Sequence, residues 1–309
     1  MKRFLSFAIL FLATGCMAAS LGTSARAIIP SDVQQIISVD YRTLESSSTA
    51  MALKDRVLPD NLKQFETALR GIGLNPDSDI DQLAFVSFRE KGGAVRVFGI
   101  AEGQFDTKKI MQRFTARKVK PTKYRFSDLY PASSGLQMAF LDPSTMIFGE
   151  TSALKDALDT RDGESPSMNS NSQVGDMMNG VERGTVWSVL DAIGTQNMMR
   201  TALGDAAKLG DYETVKKRLL GSRYTMNFSG GVNFDLDVFT PDSFSAGTLS
   251  ALVKAGMLYK KMGATGVEKI ALESMAVESD GSRLRMQFKT DDNRFQSLLH
   301  SELFAAVSK

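Results

Sequence analysis

Four times along this chain, two β-prone runs are separated by only two to four residues of turn chemistry. Gln82–Arg89 and Ala94–Ala101 flank Glu90-Lys91-Gly92-Gly93, and Leu136–Leu141 and Thr145–Gly149 flank Asp142-Pro143-Ser144. Arg223–Ser229 and Val232–Phe239 meet at Gly230-Gly231, and Ile270–Ser279 and Arg283–Lys289 meet at Asp280-Gly281-Ser282. Tight hairpin turns need positive φ, which Gly-Gly and Asp-Gly supply. Connections this short force antiparallel neighbours, so a parallel crossover fold is excluded at these four places.

The segments between the pairs carry helical spacing. Leu62, Phe65, Ala68, Leu69 and Ile72 share one helical face, as do Ile110, Met111 and Phe114. Leu249, Leu252, Val253, Gly256 and Met257 form another stripe, and Phe295, Leu298, Leu299, Leu303 and Val307 the last. Such stripes mark helices packed by one side. The expected fold class is α+β: two similar halves of antiparallel β-hairpins packed with amphipathic helices.

The order of elements repeats. The first half reads strand (36–41), helix (to 72), hairpin (82–101), helix (107–118), strand (123–130), hairpin (136–149), helix (151–159). The second reads strand (185–191), helices (196–220), hairpin (223–239), helix (245–262), hairpin (269–289), helix (292–307). Ser38-Val39 followed by Thr49-Ala50-Met51-Ala52-Leu53 matches Ser188-Val189 followed by Thr201-Ala202-Leu203, an offset of about 150 residues. That is far longer than a solenoid unit and indicates duplicated halves. Thr160–Gln173, rich in Ser, Asn and Asp, reads as a linker or an exposed loop. The expected division is a leader (1–27), a first half (28–160), a linker (161–175) and a second half (176–309).

The N-terminus reads as a bacterial secretion leader. Met1-Lys2-Arg3 is a positive start, Phe4–Leu12 an apolar run, and Ala25-Arg26-Ala27 places small residues at −3 and −1 before Ile28. The apolar run is too short for a secure span, which needs roughly 20 residues. A second reading lies inside it: Ala13-Thr14-Gly15-Cys16 resembles a lipobox, in which Cys16 would be lipidated and become the first residue. The expected localisation is therefore periplasmic or extracellular, with lipid anchoring at Cys16 as the competing form.

Charge follows from this. The chain has 37 Lys+Arg against 35 Asp+Glu, but the leader holds three of the bases and no acid. The remainder is one unit negative, so no bulk electrostatic drive toward nucleic acid exists. Cys16 is the one cysteine, so a chain cut after Ala27 has no disulfide, thiolate nucleophile or zinc–thiolate site. About 280 residues can bury a sufficient core without disulfides.

Each candidate for chemistry meets a structural alternative. Ser152-Ala153-Leu154-Lys155 is an S-x-x-K, Ser167-Met168-Asn169 an S-x-N, and Lys289-Thr290-Asp291 a near K-T-G. The order resembles penicillin-recognising serine enzymes. Only 15 residues separate the first two motifs, and Asp291 replaces the glycine that substrate approach requires. A helix N-terminus capped by Thr151 or Ser152 explains the first motif as well. His300 is the one histidine, which excludes multi-histidine metal sites, and no G-x-S-x-G elbow is present. Asp235 and Asp237 share a strand face opposite Phe234, Leu236 and Val238, which fits a solvated sheet face better than a hydrolytic carboxylate pair. Gly71-Ile72-Gly73 follows a helix, not a strand, so it reads as a helix stop rather than a phosphate loop. The methionine pairs Met177-Met178 and Met198-Met199 lack Met-x-Met spacing and read as core filling.

One charge feature stands out. Lys108, Lys109, Arg113, Arg117, Lys118, Lys120, Lys123 and Arg125 fall within Asp106–Arg125 against a single acid. On a helix they lie largely opposite Ile110, Met111 and Phe114. The patch centred on Lys108, Lys109, Arg113, Arg117, Lys118 and Lys120 suits an anionic partner, although charged faces are also the norm on amphipathic helices.

The stretches Gly99-Ile100-Ala101-Glu102-Gly103-Gln104-Phe105-Asp106 and Ile147-Phe148-Gly149-Glu150, each leading into a helix, give the chain a resemblance to uncharacterised bacterial exported proteins with duplicated α/β halves. The resemblance covers most of the chain after the leader and implies no activity. The expected function is that of an exported cell-envelope protein that is not an enzyme and needs no cofactor: a binding or structural module. Its partner would be an envelope protein, a cell-wall polymer or a lipid surface, with no role for nucleic acid. A periplasmic carrier of a lipid or other apolar ligand is the first alternative, and a serine or carboxylate hydrolase the second.

Overall fold

The two halves meet at one pair of strands. In the computed structural model, which describes residues 20–57, 66–67, 69–90, 92–132, 135–204, 207, 212–264 and 266–300, strand β1 (Val33–Asp40) pairs antiparallel with β8 (Val186–Asp191). From β1 the sheet continues through β2 (Ile80–Arg89), β3 (Val95–Gly103), β7 (Thr145–Gly149), β6 (Gln137–Asp142), β5 (Ser127–Pro131) and β4 (Thr122–Tyr124). From β8 it continues through β9 (Gly221–Asn227), β10 (Val232–Phe239), β12 (Arg283–Thr290) and β11 (Ala276–Asp280). All neighbours are antiparallel, twelve strands in one sheet, and the class is α+β.

Outward from the central pair the strand order is the same in both directions: first strand, second, third, then the last hairpin entering with its second strand innermost. Short turns explain the hairpins and leave this crossing pattern to the helices. The helices are α1 (Thr23–Ala27), α2 (Tyr41–Glu45), α3 (Ser48–Val57), α4 (Pro76–Asp79), α5 (Thr107–Ala116) and α6 (Thr151–Arg161) in the first part. Then come α7 (Ser172–Asn179), α8 (Ala192–Leu203), α9 (Tyr212–Lys216), α10 (Ser243–Gly263), α11 (Gly266–Ser274) and α12 (Asp292–Leu299).

The correspondence between halves is fixed by two helix caps. Asp40 closes β1 and accepts from the Thr43 amide at 2.8 Å; Asp191 closes β8 and accepts from the Gly194 amide at 2.6 Å. The caps lie one step beyond the offset that matches Ser38-Val39 to Ser188-Val189. With that offset the two serines would stand on opposite faces, because Ser38 pairs with Trp187 and Ile37 with Ser188. Counting outward along the ladders from the caps makes Ala84 equivalent to Arg223, Phe98 to Asp235, Ile100 to Asp237 and Ile147 to Arg285.

On one side of the first half, called face A, Ile36, Ala84, Val86, Phe98, Ile100 and Ile147 are buried in one cluster with Ala153, Leu154, Ala157 and Leu158 of α6, Ala25 of α1 and Val174, Met177 and Met178 of α7. On the opposite side, face B, Leu83, Ala101, Met146 and Phe148 pack with Ile110 and Phe114 of α5. Face B of the second half packs Leu236, Val238 and Leu284 against Met199 and Leu203 of α8 and Leu249, Leu252 and Val253 of α10. Helix α12 brings Phe295 and Leu299 onto Phe228 and Val232, again on face B, with Leu44 and Ala50 from α2 and α3.

Several sequence expectations change. The single strand at 123–130 is a tight hairpin, β4 and β5, turned at Arg125 with φ +49°. The strand at 270–279 begins only at Ala276; Gly266, with φ +54°, admits α11, whose Ala271 and Leu272 are buried. The linker (161–175) is built into the structure. The Ser31 amide donates to Pro166 O at 2.9 Å, the Met168 amide to Ile29 O at 2.7 Å, and buried Met168 joins the face A cluster. The leader boundary at Ala27 falls inside a packed segment: Leu21 and Ala25 are buried, and α1 lies on face A. Cys16, and Leu62, Phe65, Ala68, Leu303 and Val307 of the two outer helical stripes, lie outside the described residues.

Candidate functional site

Helix α5 starts where Asp106 accepts from the Lys109 amide at 3.0 Å, and it buries Ile110 and Phe114. That orientation leaves Lys108 and Lys109 in solvent. Past its end, the Val119 amide donates to Phe114 O at 2.9 Å and Lys118 takes φ +56°. This is a left-handed helix stop of the kind that usually falls to glycine. A side chain there costs about 1 kcal/mol. Lys118 and Arg125 are the non-glycine residues with positive φ among the described ones, and both belong to the basic segment.

The six predicted patch residues divide by task. The Arg113 guanidinium donates to Ile72 O at 3.2 Å and that of Arg117 to Gly71 O at 2.5 Å. Both arginines therefore satisfy carbonyls at the end of the helical turn at 69–72. Lys108, Lys109, Lys118 and Lys120 are exposed and make no ion pair among the described residues. Arg125 is spent elsewhere: it pairs with Asp159 at 2.5 Å and Glu164 at 3.0 Å, which raises its pKa further.

Beside this patch a cavity of about 220 Å³ opens between Ile72, Phe114, Val119, Pro131 and Met138, with Arg117 at its rim. Phe114 stacks on Tyr130 at 4.6 Å, with the rings 8° from parallel. An apolar floor with a cationic rim can take a ligand or surface that is apolar within and anionic outside. Sequence reading missed the pocket, because Ile72, Phe114 and Met138 come from three distant segments and each reads as ordinary core.

On the same face, α10 is apolar on both sides. Leu249, Leu252 and Val253 are buried, while Phe244, Leu258, Tyr259 and Met262 are more than half exposed. The helix carries no acid. Lys260 donates to Ala202 O at 2.8 Å and its burial lowers its pKa, and Lys261 pairs with Glu273 at 2.9 Å. Lys254 is exposed. A helix apolar all round is normally buried on all sides.

The hydrolytic constellations do not assemble. Ser152 accepts a hydrogen bond from Arg96, and the Lys155 ammonium lies 5.1 Å from the centre of the Tyr124 ring. Lys289 belongs to β12, seven strand positions away from β7, from which α6 issues. At about 4.8 Å per strand that separation is roughly 34 Å. Asp235 and Asp237 do share face A, but each is already held. Asp237 accepts from Arg223 at 3.0 and 3.1 Å and from Arg285 at 3.3 Å, with Arg283 at 3.8 Å; Asp235 accepts from Gln287 at 2.6 Å. A shallow cavity of about 210 Å³ lies over this network. His300 is the C-cap of α12. Asp156, beside Arg96, has its pKa raised by burial.

No helix among the described residues is long and apolar enough to cross a membrane, and none of their His, Asp and Glu side chains form a group of three or more suited to a metal. No protein-family model matches the chain, and no curated protein matches it. Among solved structures it is similar to crystal form I of TP0453, at 9% identity and TM-score 0.47, over 91% of this chain and 96% of that one. It is likewise similar to crystal form III of TP0453, at 9% identity and TM-score 0.49, over 89% of this chain and 96% of that one.

Proposed function

We propose that this chain is an exported, non-catalytic protein of the cell envelope that engages an anionic lipid surface through the helices of face B. The observation that carries this reading is the run of four exposed lysines (Lys108, Lys109, Lys118 and Lys120) on and just after α5, the helix whose Phe114 lines the apolar cavity together with Arg117. On face B of the other half, the exposed side chains of α10 offer a second group of apolar residues, with Lys254 beside them. A lipid surface offers both complements, acyl chains and phosphate charge. Each lysine near an anionic bilayer contributes about 1 kcal/mol.

Flotation with vesicles rich in phosphatidylglycerol tests this against vesicles of phosphatidylcholine alone. Binding is expected to the anionic vesicles and to fall with added salt. Replacing the four lysines with Glu should weaken it by on the order of a hundredfold or more. Equal binding to the two vesicle types, or an unchanged affinity in the variant, would defeat the reading. An open cavity of this size is small for a carrier of a whole lipid, which favours surface contact over transport.

A further inference from the structure

The sequence marks Ala27 as a cut site, yet two of the seven residues before that cut, Leu21 and Ala25, are part of the core. Leu21 is 3% exposed and Ala25 fully buried, in the same cluster as Ile28, Ile29, Val33, Phe98 and Met168. Their polar groups are equally committed. The Gly22 amide donates to Glu102 Oε1 at 3.0 Å and Oε2 at 3.3 Å. The Arg26 guanidinium donates to Leu21 O at 2.9 Å and forms an ion pair with Glu182. Glu102 lies on β3 and Glu182 just before β8, so the segment joins the two halves across face A.

A leader that is discarded has no reason to complement the protein that discards it. A cut after Ala27 would uncover Ile28 and Ile29 and leave a trench over face A where Leu21 and Ala25 had packed. It would also strip Glu102 of its backbone donor and Glu182 of its arginine. Glu102 is already raised in pKa by burial, with the Gly22 amide as the chief opposing influence. Two carboxylates would thus lose their compensation together.

We propose that Leu21–Ala27 belongs to the mature protein as a structural clip, and that any export cleavage falls before Leu21. The leader signature at Ala25-Arg26-Ala27 is then a coincidence of small residues, which α1 uses to approach the sheet closely. This inference does not depend on the lipid-surface reading.

Two measurements on the full chain, exported from a bacterial host, decide the matter. Intact mass with terminal peptide mapping should place the first residue of the folded product at Leu21 or earlier; acyl mass on Cys16 would satisfy this equally. A product beginning at Ile28 overturns the proposal. Leu21→Ala, which keeps the apolar character needed for export, should lower the melting temperature of the exported protein by roughly 5 °C or more. If Leu21 were removed during export, the two purified proteins would be identical and would melt together, and that result also overturns it. Should Leu21→Ala yield no folded product, Arg26→Gln, which removes the Glu182 pair and the bond to Leu21 O but no core side chain, provides the same comparison through a smaller shift.

Discussion

Two ladders run outward from the β1–β8 pair in the same strand order, and they differ most on face A. In the first half that face presents Ala84, Phe98, Ile100 and Ile147, all buried. At the equivalent places the second half presents Arg223, Asp235, Asp237 and Arg285. Face B is apolar in both, with Phe85 and Phe148 in one half and Tyr224 and Met286 in the other. The last helix of each half follows this chemistry. Helix α6 lies on face A, over apolar residues, whereas α12 packs on face B, against Phe228 and Val232. One strand order therefore supports a half with apolar residues on both faces and a half whose strands β9, β10 and β12 carry charge on face A. The choice rests with alternate residues of three strands rather than with topology.

The sharpest way to break this comparison is to exchange residues between equivalent places. Ile100→Asp puts a carboxylate where no donor waits, and a loss of more than about 4 kcal/mol, or no folded product, is expected. The reverse change, Asp237→Leu, leaves three arginines without their acceptor but within reach of water, and should cost about 1–3 kcal/mol. Urea denaturation of the two variants measures the difference. Similar losses would mean that face A of the second half is buried as deeply as that of the first. Next in size, Phe98→Ala should cost about 3–5 kcal/mol, while Asp235→Ala at the equivalent place should stay within about 0.5 kcal/mol of the parent.

This asymmetry was partly legible in the sequence. Alternation at Phe234, Leu236 and Val238 against Asp235 and Asp237 is direct evidence for a one-sided strand, because strand side chains alternate with period two. The hairpins were legible for the same local reason. What was not legible is long-range. Nothing at Ser38 or Ser188 says which residues pair across the sheet centre, and a one-residue error there reverses the faces. Ile270–Ser274 carries apolar residues that suit a strand or a helix, and its packing against neighbouring elements decides. The basic patch was visible as composition, but that Arg113 and Arg117 would turn back onto the carbonyls of Ile72 and Gly71 depends on a segment some 40 residues earlier. The clip at Leu21–Ala27 was hidden by a competing signal: small residues before a cleavage site and small residues packed on a sheet are the same letters.

The smallest expected effects separate the two caps. Asp40 and Asp191 occupy equivalent places and each accepts from a first-turn amide, so Asp→Ala at either should cost about 1 kcal/mol as a lost cap. Asp191 does more. The Arg89 guanidinium reaches it at 2.7 Å, with both side chains about a quarter exposed. The ladders place Phe228 where a matching arginine for Asp40 would stand. Asp191→Ala should therefore exceed Asp40→Ala by about 0.5–1 kcal/mol, allowing for solvent screening of a partly exposed pair. Asparagine sharpens the test, since it caps as well as aspartate but carries no charge. Asp40→Asn should be nearly silent, while Asp191→Asn should lose only the arginine's share, and added salt should shrink that share. If Asp40→Asn and Asp191→Asn melt alike at low salt, the Arg89 contact contributes nothing and the two caps are energetically as well as positionally equivalent.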